Sequence, residues 1–204
     1  MEFINQITPE QDATLQTVLH LAQTCEYEAQ HTHQVTRLAL RLFDELQPLH
    51  GYGITERLQL HYASILHDIG WVEGWKEHHK KGLEIILSTQ MLPFDGKERL
   101  IIGSIARYHR KALPDESHDH YAALNETERT IVKKLGGCLR LADGLDRSHK
   151  SLVHDLTCKI NPERILMRIS TYGAALGEEA AALKKSDLLE MAFERKIVFQ
   201  WKTE

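Results

Sequence analysis

The chain has 204 residues, of which 42% are hydrophobic and 26% charged, and its formal net charge is −4. This length suffices for one sizeable core or for a main domain with a small appendage, and the acidic balance argues against a broad nucleic-acid surface. Thirteen histidines are a high count. Because histidine binds metals and carries protons near neutral pH, the excess weakly favours a chemical role.

The cysteines and the N-terminus indicate the compartment. The three cysteines, Cys25, Cys138 and Cys158, stand far apart with no paired spacing, which is typical of small buried side chains in a reducing environment. Residues 1–12 lack the basic start and apolar stretch of a signal peptide, and no apolar run reaches membrane-spanning length. We therefore expect a cytoplasmic protein with no membrane partner.

Apolar residues recur at helical spacing through the first three quarters of the chain and predict a helical bundle. Thr8 and Pro9 would start the first helix, Pro48 would end the second, and Gly70 would stop the third. The later predicted helices cover residues 31–47, 56–69, 78–88, 97–109 and 126–145. Together they predict a helical domain over residues 1–150.

The hydrophobic pattern changes from helical spacing to alternation after about Lys150. Strands are predicted over residues 152–160, 165–169 and 196–201, with one helix within residues 173–192. This order predicts a small antiparallel sheet with one helix on a face, and hence a small α+β subdomain over residues 151–204. The predicted helix is rich in Ala, Lys and Glu, which indicates a solvent-exposed face, and we assign it no function. The expected fold class is mainly α.

Histidine and aspartate side chains occupy positions where apolar residues are expected in separate helices. The pair His67-Asp68 ends one apolar run. His31 and His109 each lie four residues from an apolar position, and Asp143 continues the stripe of the longest helix. A single such histidine is more often a satisfied core residue than a ligand. Their recurrence favours a shared site inside the bundle, because a buried charge needs a partner.

This mixture of imidazole nitrogens and carboxylate oxygens suits a divalent transition metal, namely Mn, Fe, Co, Ni or Zn, better than a bare Mg site. Asp68 can bridge two ions, and either His78 or His79 would complete a second site with His109. A bound divalent ion makes water a better nucleophile and stabilises charge on phosphoryl oxygens. We therefore predict a phosphohydrolase with one or two divalent ions and with His67 and Asp68 as the catalytic pair.

Four segments within residues 27–149 resemble one known family. They are His31–Asp44, His78–Gly82, Ala106–Lys111 and Leu139–His149. They are similar to the C-terminal half of exopolyphosphatases and guanosine pentaphosphate phosphatases, the Ppx/GppA family, in the HD-domain superfamily. The tail 150–204, with Phe193-Glu194, is similar to that family's closing subdomain more loosely.

The resemblance implies an HD-domain helical bundle and a specific ligand set. The implied metal ligands are His31, His67, Asp68 and Asp143, to which relatives with two metals add His78 and His109. His33 and His79 are weaker candidates for metal ligands than these six residues.

The sequence departs from the resembled family in two respects. The family's N-terminal actin-like ATPase half, to which its phosphatase chemistry is assigned, has no counterpart in these residues. We therefore expect the HD half alone, without a direct transfer of the family's activity. Trp71 stands where many active HD phosphohydrolases have a lysine after the glycine of the motif. The His67-Asp68 pair is intact, whereas it is often damaged in full-length relatives, and this favours an activity of its own.

Basic residues accumulate beside the predicted ligands although the whole chain is acidic. They are Arg107, Arg110, Lys111, Arg140, Arg147 and Lys150. Arginine presents a planar fork of donors that matches phosphate oxygens, and lysine adds a point charge. We predict that Arg110, Lys111 and Arg147 bind the substrate, a phosphorylated small molecule such as a nucleotide or (p)ppGpp, or polyphosphate.

Two alternatives remain open at this point. In the first, the chain is a non-catalytic module that binds polyphosphate or a nucleotide and regulates a partner. In the second, it is a helical domain whose histidine cluster is structural. The sequence leaves the oligomeric state open, a homo-oligomer included.

Overall fold

The computed structural model describes residues 8–74 and 76–204. Residues 1–7, part of the segment in which we expect no signal peptide, lie outside the described residues. The helices come first, followed by a small sheet with two further helices. In chain order the elements are α1 (Pro9–Thr24), α2 (Ala29–His50), α3 (Ile54–Ile65), a 3₁₀ helix (Ile69–Glu73), α4 (His78–Ser88), α5 (Gly96–Arg107), α6 (Asp119–Ala122), α7 (Glu126–Gly144), β1 (Val153–Ile160), β2 (Arg164–Thr171), α8 (Leu176–Lys185), α9 (Asp187–Phe193) and β3 (Lys196–Thr203). The prediction of a mainly α fold with a small C-terminal α+β part is confirmed, while a domain boundary at residue 150 stays a prediction.

Side-chain caps set where the long helices begin. At the start of α5, Asp95 accepts hydrogen bonds from the backbone amides of Lys97 and Glu98 at 2.8 Å. At the start of α7, Asn125 accepts from the amide of Glu128 at 3.0 Å. Each cap satisfies amides that the first helical turn leaves unpaired. The caps therefore set the first residues of α5 and α7.

Helix α2 continues past Pro48, where the sequence predicted its end. Proline lacks an amide hydrogen and so cannot complete one helical hydrogen bond. Pro48 lies in the last turn of a 22-residue helix, which ends at Gly51 with φ 65°. One lost hydrogen bond near the end is tolerated, because the apolar face of α2 remains buried in the core.

Helix α3 ends earlier than the sequence predicted, at Ile65, so the pair His67-Asp68 lies in a turn before the 3₁₀ helix. Gly70 is therefore not a helix stop. A Cβ atom added at Gly70 would overlap the carbonyl oxygen of His78 and lie 2.6 Å from the amide nitrogen of Gly82. Glycine is required here because the backbone of the turn packs directly against α4.

We expect Gly70→Ala to lower the free energy of unfolding by about 1–3 kcal/mol, the usual cost of overpacking a tight contact. Denaturant unfolding measures this change. Gly96→Ala is the matched control, because a Cβ at Gly96 meets no atom within 4 Å. Equal stability of the two variants would show that the turn and α4 can separate at little cost.

The sheet has the order β1-β2-β3, with β1 and β2 antiparallel and β2 and β3 parallel. The prediction of an antiparallel sheet is therefore wrong for β3. The prediction of one helix within residues 173–192 is also wrong, because α8 and α9 are two helices there. Parallel neighbours need a crossover connection, and α8 and α9 together provide it. The predicted alternation in β2 is present, with Ile165, Met167 and Ile169 fully buried.

One continuous set of buried apolar side chains extends from α1 to β3. Helix α9 packs closely on α7, since a Cβ at Gly137 would lie 3.0 Å from the Cα of Leu189. This contact holds α8 beside the C-terminal end of α7, next to Asp143. Among the described helices, none combines the length and apolar character needed to cross a membrane.

Candidate metal centre

The six residues predicted as metal ligands lie together inside the bundle, as two groups of three. The first triad is His31, His67 and Asp143, and the second triad is Asp68, His78 and His109. Within each triad, one candidate ligand atom per residue lies within 4.8 Å of the other two. The four histidines are each 1% exposed.

Asp68 joins the two triads. Its Oδ1 lies 3.0 Å from Nε2 of His78 and 3.4 Å from Nε2 of His109. Its Oδ2 lies 3.4 Å from Nε2 of His67, in the other triad. One carboxylate oxygen thus faces each triad, as a bridging ligand requires. The turn after α3 permits this arrangement, because adjacent residues on a helix do not face the same way.

Hydrogen bonds at the far side of three imidazole rings fix their orientation. Nδ1 of His67 donates to the carbonyl of Ser64, and Nδ1 of His109 donates to the carbonyl of Ala106, both at 2.7 Å. Nδ1 of His31 donates to Oδ2 of Asp146 at 2.8 Å. Each Nε2 is then left to face the cluster, which is the usual support of a metal-binding histidine.

Three of these atoms are buried and make no hydrogen bond within the described part of the chain. They are Nε2 of His31, Nε2 of His67 and Oδ1 of Asp68. Buried polar atoms are normally paired, so three unsatisfied ligand atoms in one place fit a bound cation. The nitrogen and oxygen donors match a divalent transition metal.

The histidines keep Asp68 ionised. Burial raises the pKa of its carboxyl group, but the nearby rings of His67, His78 and His109 outweigh burial and hold the pKa well below its usual range. Burial also lowers the pKa of His109 well below its usual value. The second triad therefore presents a carboxylate beside a neutral imidazole, both in the forms that bind metals.

A positively charged side chain, Lys185, lies next to the first triad and forms an ion pair with Asp143. Burial raises the pKa of Asp143, but Lys185 and His31 together hold it well below the usual range. Burial lowers the pKa of His31, yet the neighbouring carboxylates of Asp143 and Asp146 raise it to about 9. In the metal-free protein His31 is thus protonated at neutral pH, and an ion binding there must displace that proton.

A cavity of about 540 Å³ opens beside both triads. Its basic lining residues are Arg110, Lys111, Arg140, Arg147, Lys184 and Lys185. The three predicted substrate-binding residues are thus together in one cavity, whereas Arg107 and Lys150 are not part of its lining. Arg110 donates to Nε2 of His78 at 3.1 Å, and Arg140 is held by Asp187 at 2.7 and 2.9 Å. The cavity lining therefore has more basic than acidic side chains, although the net charge of the whole chain is negative.

Several residues of the site were not identified from the sequence. Lys184 and Lys185 belong to α8, for which the sequence predicted a solvent-exposed face. Their position in the cavity depends on the packing of α9 on α7, so no local sequence pattern identifies them as site residues. The ring of His149 stacks on that of His31 with centroids 3.8 Å apart and planes at 3°. Trp71 lines the cavity and stacks on His78 at 4.7 Å.

Two lower-ranked histidines lie outside both triads. Nε2 of His33 accepts a hydrogen bond from the hydroxyl of Tyr27 at 2.8 Å. His79 is buried with its ring centroid 6.5 Å from that of His109. The sequence left open whether His78 or His79 belongs to the second predicted metal site. In the structure His78 is part of the second triad and His79 lies behind it.

The comparisons with known proteins agree with the resemblance in the sequence. A family model described as Ppx/GppA phosphatase, domain III, matches residues 14–192. A guanosine-5'-triphosphate,3'-diphosphate pyrophosphatase of Pseudoalteromonas atlantica is 30% identical over 133 residues, which are 64% of this chain and 26% of that relative. The matched part of the chain thus spans about a quarter of the relative's length. Since the family model covers most of the chain, including both triads and α8, the chain belongs to the Ppx/GppA phosphatase family through its domain III.

Proposed function

We propose that the chain is a metal-dependent phosphohydrolase of the HD type, acting on a phosphate ester or anhydride such as a nucleotide, (p)ppGpp or polyphosphate. The observation that carries this proposal is the group of three buried ligand atoms without hydrogen bonds beside a basic cavity. The relative is named as a guanosine-5'-triphosphate,3'-diphosphate pyrophosphatase, which supports a substrate with several phosphates.

In this proposal each triad would hold one divalent ion, Mn, Fe, Co, Ni, Zn or Mg, and Asp68 and His67 would be the central residues of the site. When bound, such ions polarise phosphoryl oxygens and lower the pKa of water. Arg110, Lys111 and Arg147 would hold the substrate phosphates, because charged donors bind phosphate oxygens strongly. Asp146 would hold the ring of His31 in place through Nδ1.

Elemental analysis followed by a substrate screen tests the proposal. The purified protein should contain metal near one or two ions per chain. With added Mn it should hydrolyse a nucleotide, a cyclic nucleotide, polyphosphate or (p)ppGpp, measured as released phosphate or pyrophosphate or, for a cyclic nucleotide, as the ring-opened nucleoside monophosphate. EDTA should stop this hydrolysis. His33→Gln is a suitable control, because His33 lies outside both triads and should leave metal content and turnover unchanged. A protein that binds no metal at saturating Mn would refute the proposal.

The alternative, a binding module without hydrolysis, is favoured by one specific observation. Basic side chains already contact both triads, Arg110 at His78 and Lys185 at Asp143, so the clusters can be partly neutralised without metal. Such a module would bind polyphosphate or a nucleotide in the same cavity and regulate a partner. Ligand affinity that EDTA leaves unchanged, together with no phosphate release, would identify the module.

We expect Arg147→Gln to raise the KM for the best substrate about tenfold without changing bound metal. A hydrogen bond to a charged group contributes about 1.5–3 kcal/mol, and the exposure of Arg147 reduces that contribution. Steady-state kinetics and metal analysis of the same preparation test this. Arg168→Gln, on β2 and outside this cavity, is the matched control. Unaltered kinetics in Arg147→Gln would show that Arg147 does not bind the substrate.

The double variant Arg147→Gln/Arg110→Gln should raise the KM further. Its metal content must also be measured, because Arg110 contacts His78.

A further inference from the structure

A second group of buried polar side chains lies behind the second triad, outside the lining of the cavity. Arg107, the last residue of α5, is 4% exposed. Its Nη1 is buried without a hydrogen bond, and among the described residues Arg107 has no ion pair. Its guanidinium carbon lies 5.6 Å from the centre of the Tyr108 ring. This cation is therefore almost fully withdrawn from water without a carboxylate to balance it.

Three neighbouring side chains also have buried atoms without hydrogen bonds. They are Nδ1 of His79 on α4, Nε2 of His120 on α6, and the hydroxyl of Ser104, one turn before Arg107 on α5. The ring of His120 lies 5.6 Å from that of Tyr108, so His120 and Arg107 pack on the same ring. Burial, reinforced by the charge of Arg107, lowers the pKa of His120 to about 4. His120 is therefore a neutral ring near a cation at neutral pH.

A buried charge without a partner costs several kcal/mol, and native proteins pair nearly all their buried polar atoms. The carboxylate that acts electrostatically on Arg107 is Glu77, but Glu77 is 61% exposed and pairs with Lys80. A group from outside the described chain is therefore needed to balance Arg107. Arg107 and His120 pack on the Tyr108 ring, Ser104 lies one turn before Arg107, and the charge of Arg107 acts on His79. Unsatisfied groups near one permanent positive charge suit an anion with several acceptor oxygens.

We propose that Arg107, His79 and His120 form a buried binding site for a small tetrahedral oxyanion such as inorganic phosphate, separate from the metal centre. The planar guanidinium offers parallel donors that match two oxygens of such an anion. A neutral imidazole and a hydroxyl each add one donor. Arg107 and His79 are buried and His120 is half-buried with its Nε2 buried, so the site suits a small free anion rather than the terminal group of a bulky nucleotide.

Thermal unfolding of the EDTA-treated protein tests this site without reference to turnover or metal. In a chloride buffer free of phosphate, added inorganic phosphate should raise the Tm of the wild type and then saturate, since a ligand that binds the folded state stabilises it by RT ln(1 + [L]/Kd). Arg107→Met keeps most of the side-chain volume and removes the unpaired charge. We expect this variant to be at least as stable as the wild type without phosphate and to show a clearly smaller phosphate-dependent rise in Tm.

Arg110→Met is the comparison variant, because Arg110 lines the cavity at the metal centre, where phosphate can also bind. The part of the rise in Tm that Arg107→Met loses should remain in Arg110→Met. If Arg107→Met does not fold, His120→Phe replaces it with the same expectation of a smaller phosphate response. The proposal is overturned by a wild type whose Tm does not respond to phosphate, by an equal response in Arg107→Met, or by an equal response to chloride. Because no activity is measured, failure of this site leaves the proposed phosphohydrolase untouched.

Discussion

We expect the Asp68→Ala variant to lose its bound metal and its phosphohydrolase activity. Asp68 is the carboxylate whose two oxygens face different triads, at 3.0 Å from His78 and 3.4 Å from His67. Loss of a residue that only supports a ligand already costs about 10–100-fold in metal affinity, so removing the bridging ligand should cost at least about 100-fold. The variant should still fold, because the apolar bundle closes without the ion.

Metal analysis after dialysis, circular dichroism and phosphate release measure these effects on one preparation. Asp12→Ala, an exposed aspartate of α1, is the matched control and should resemble the wild type. If Asp68→Ala is folded and retains its full metal content, Asp68 is not a bridging ligand. The proposal would then reduce to a single-ion site in the first triad.

The helices were largely predictable because their signal is local. Apolar periodicity predicts a helix over residues 126–145, close to the observed Glu126–Gly144 of α7. The ends of α2 and α3 were not, because they depend on tertiary contacts. The sequence at Gly70 looks the same whether glycine ends a helix or lets two backbones approach, and the contact with His78 and Gly82 decides between them.

The candidate site was predictable for the residues whose type interrupts an apolar stripe. His31, His109 and Asp143 each do so, and the structure brings them into the two triads, while their role as ligands stays a prediction. Lys185 carries no such signal, since it lies in a lysine-rich helix that would be equally suited to solvent. Its position beside Asp143 depends on how α8 and α9 dock onto α7, which no local pattern reveals.

Asp146 was within reach of sequence reasoning, because it follows Asp143 by three residues in the segment that resembles the family. It is fully buried. One oxygen accepts from Nδ1 of His31 and the other from the amide of Ser151, both at 2.8 Å. A buried aspartate that holds a histidine ring from behind is a positioning residue rather than a ligand. Its contribution should therefore appear in metal affinity at the first triad alone.

We expect Asp146→Asn to weaken metal binding at the first triad about 10–100-fold, with the second triad still occupied. The amide keeps the size of the side chain and can still accept from Ser151, so the turn after α7 should persist. It weakens the hydrogen bond that holds Nδ1 of His31 and so leaves its Nε2 less firmly directed at the first triad. Titration of the EDTA-treated protein with Mn should show two classes of site in the wild type and one tight class in the variant.

Asp155→Asn is the control for loss of a carboxylate, because Asp155 lies on β1 and pairs with Arg41, away from both triads. A purely structural role for Asp146 would instead lower the unfolding free energy of the metal-free protein while leaving Mn affinity in the folded state unchanged. Unchanged affinity at both classes of site would mean that stacking on His149, with the rings 3.8 Å apart, suffices to orient His31. Selective loss of one class of site would distinguish the first triad from the second, because only the first contains a histidine oriented by Asp146.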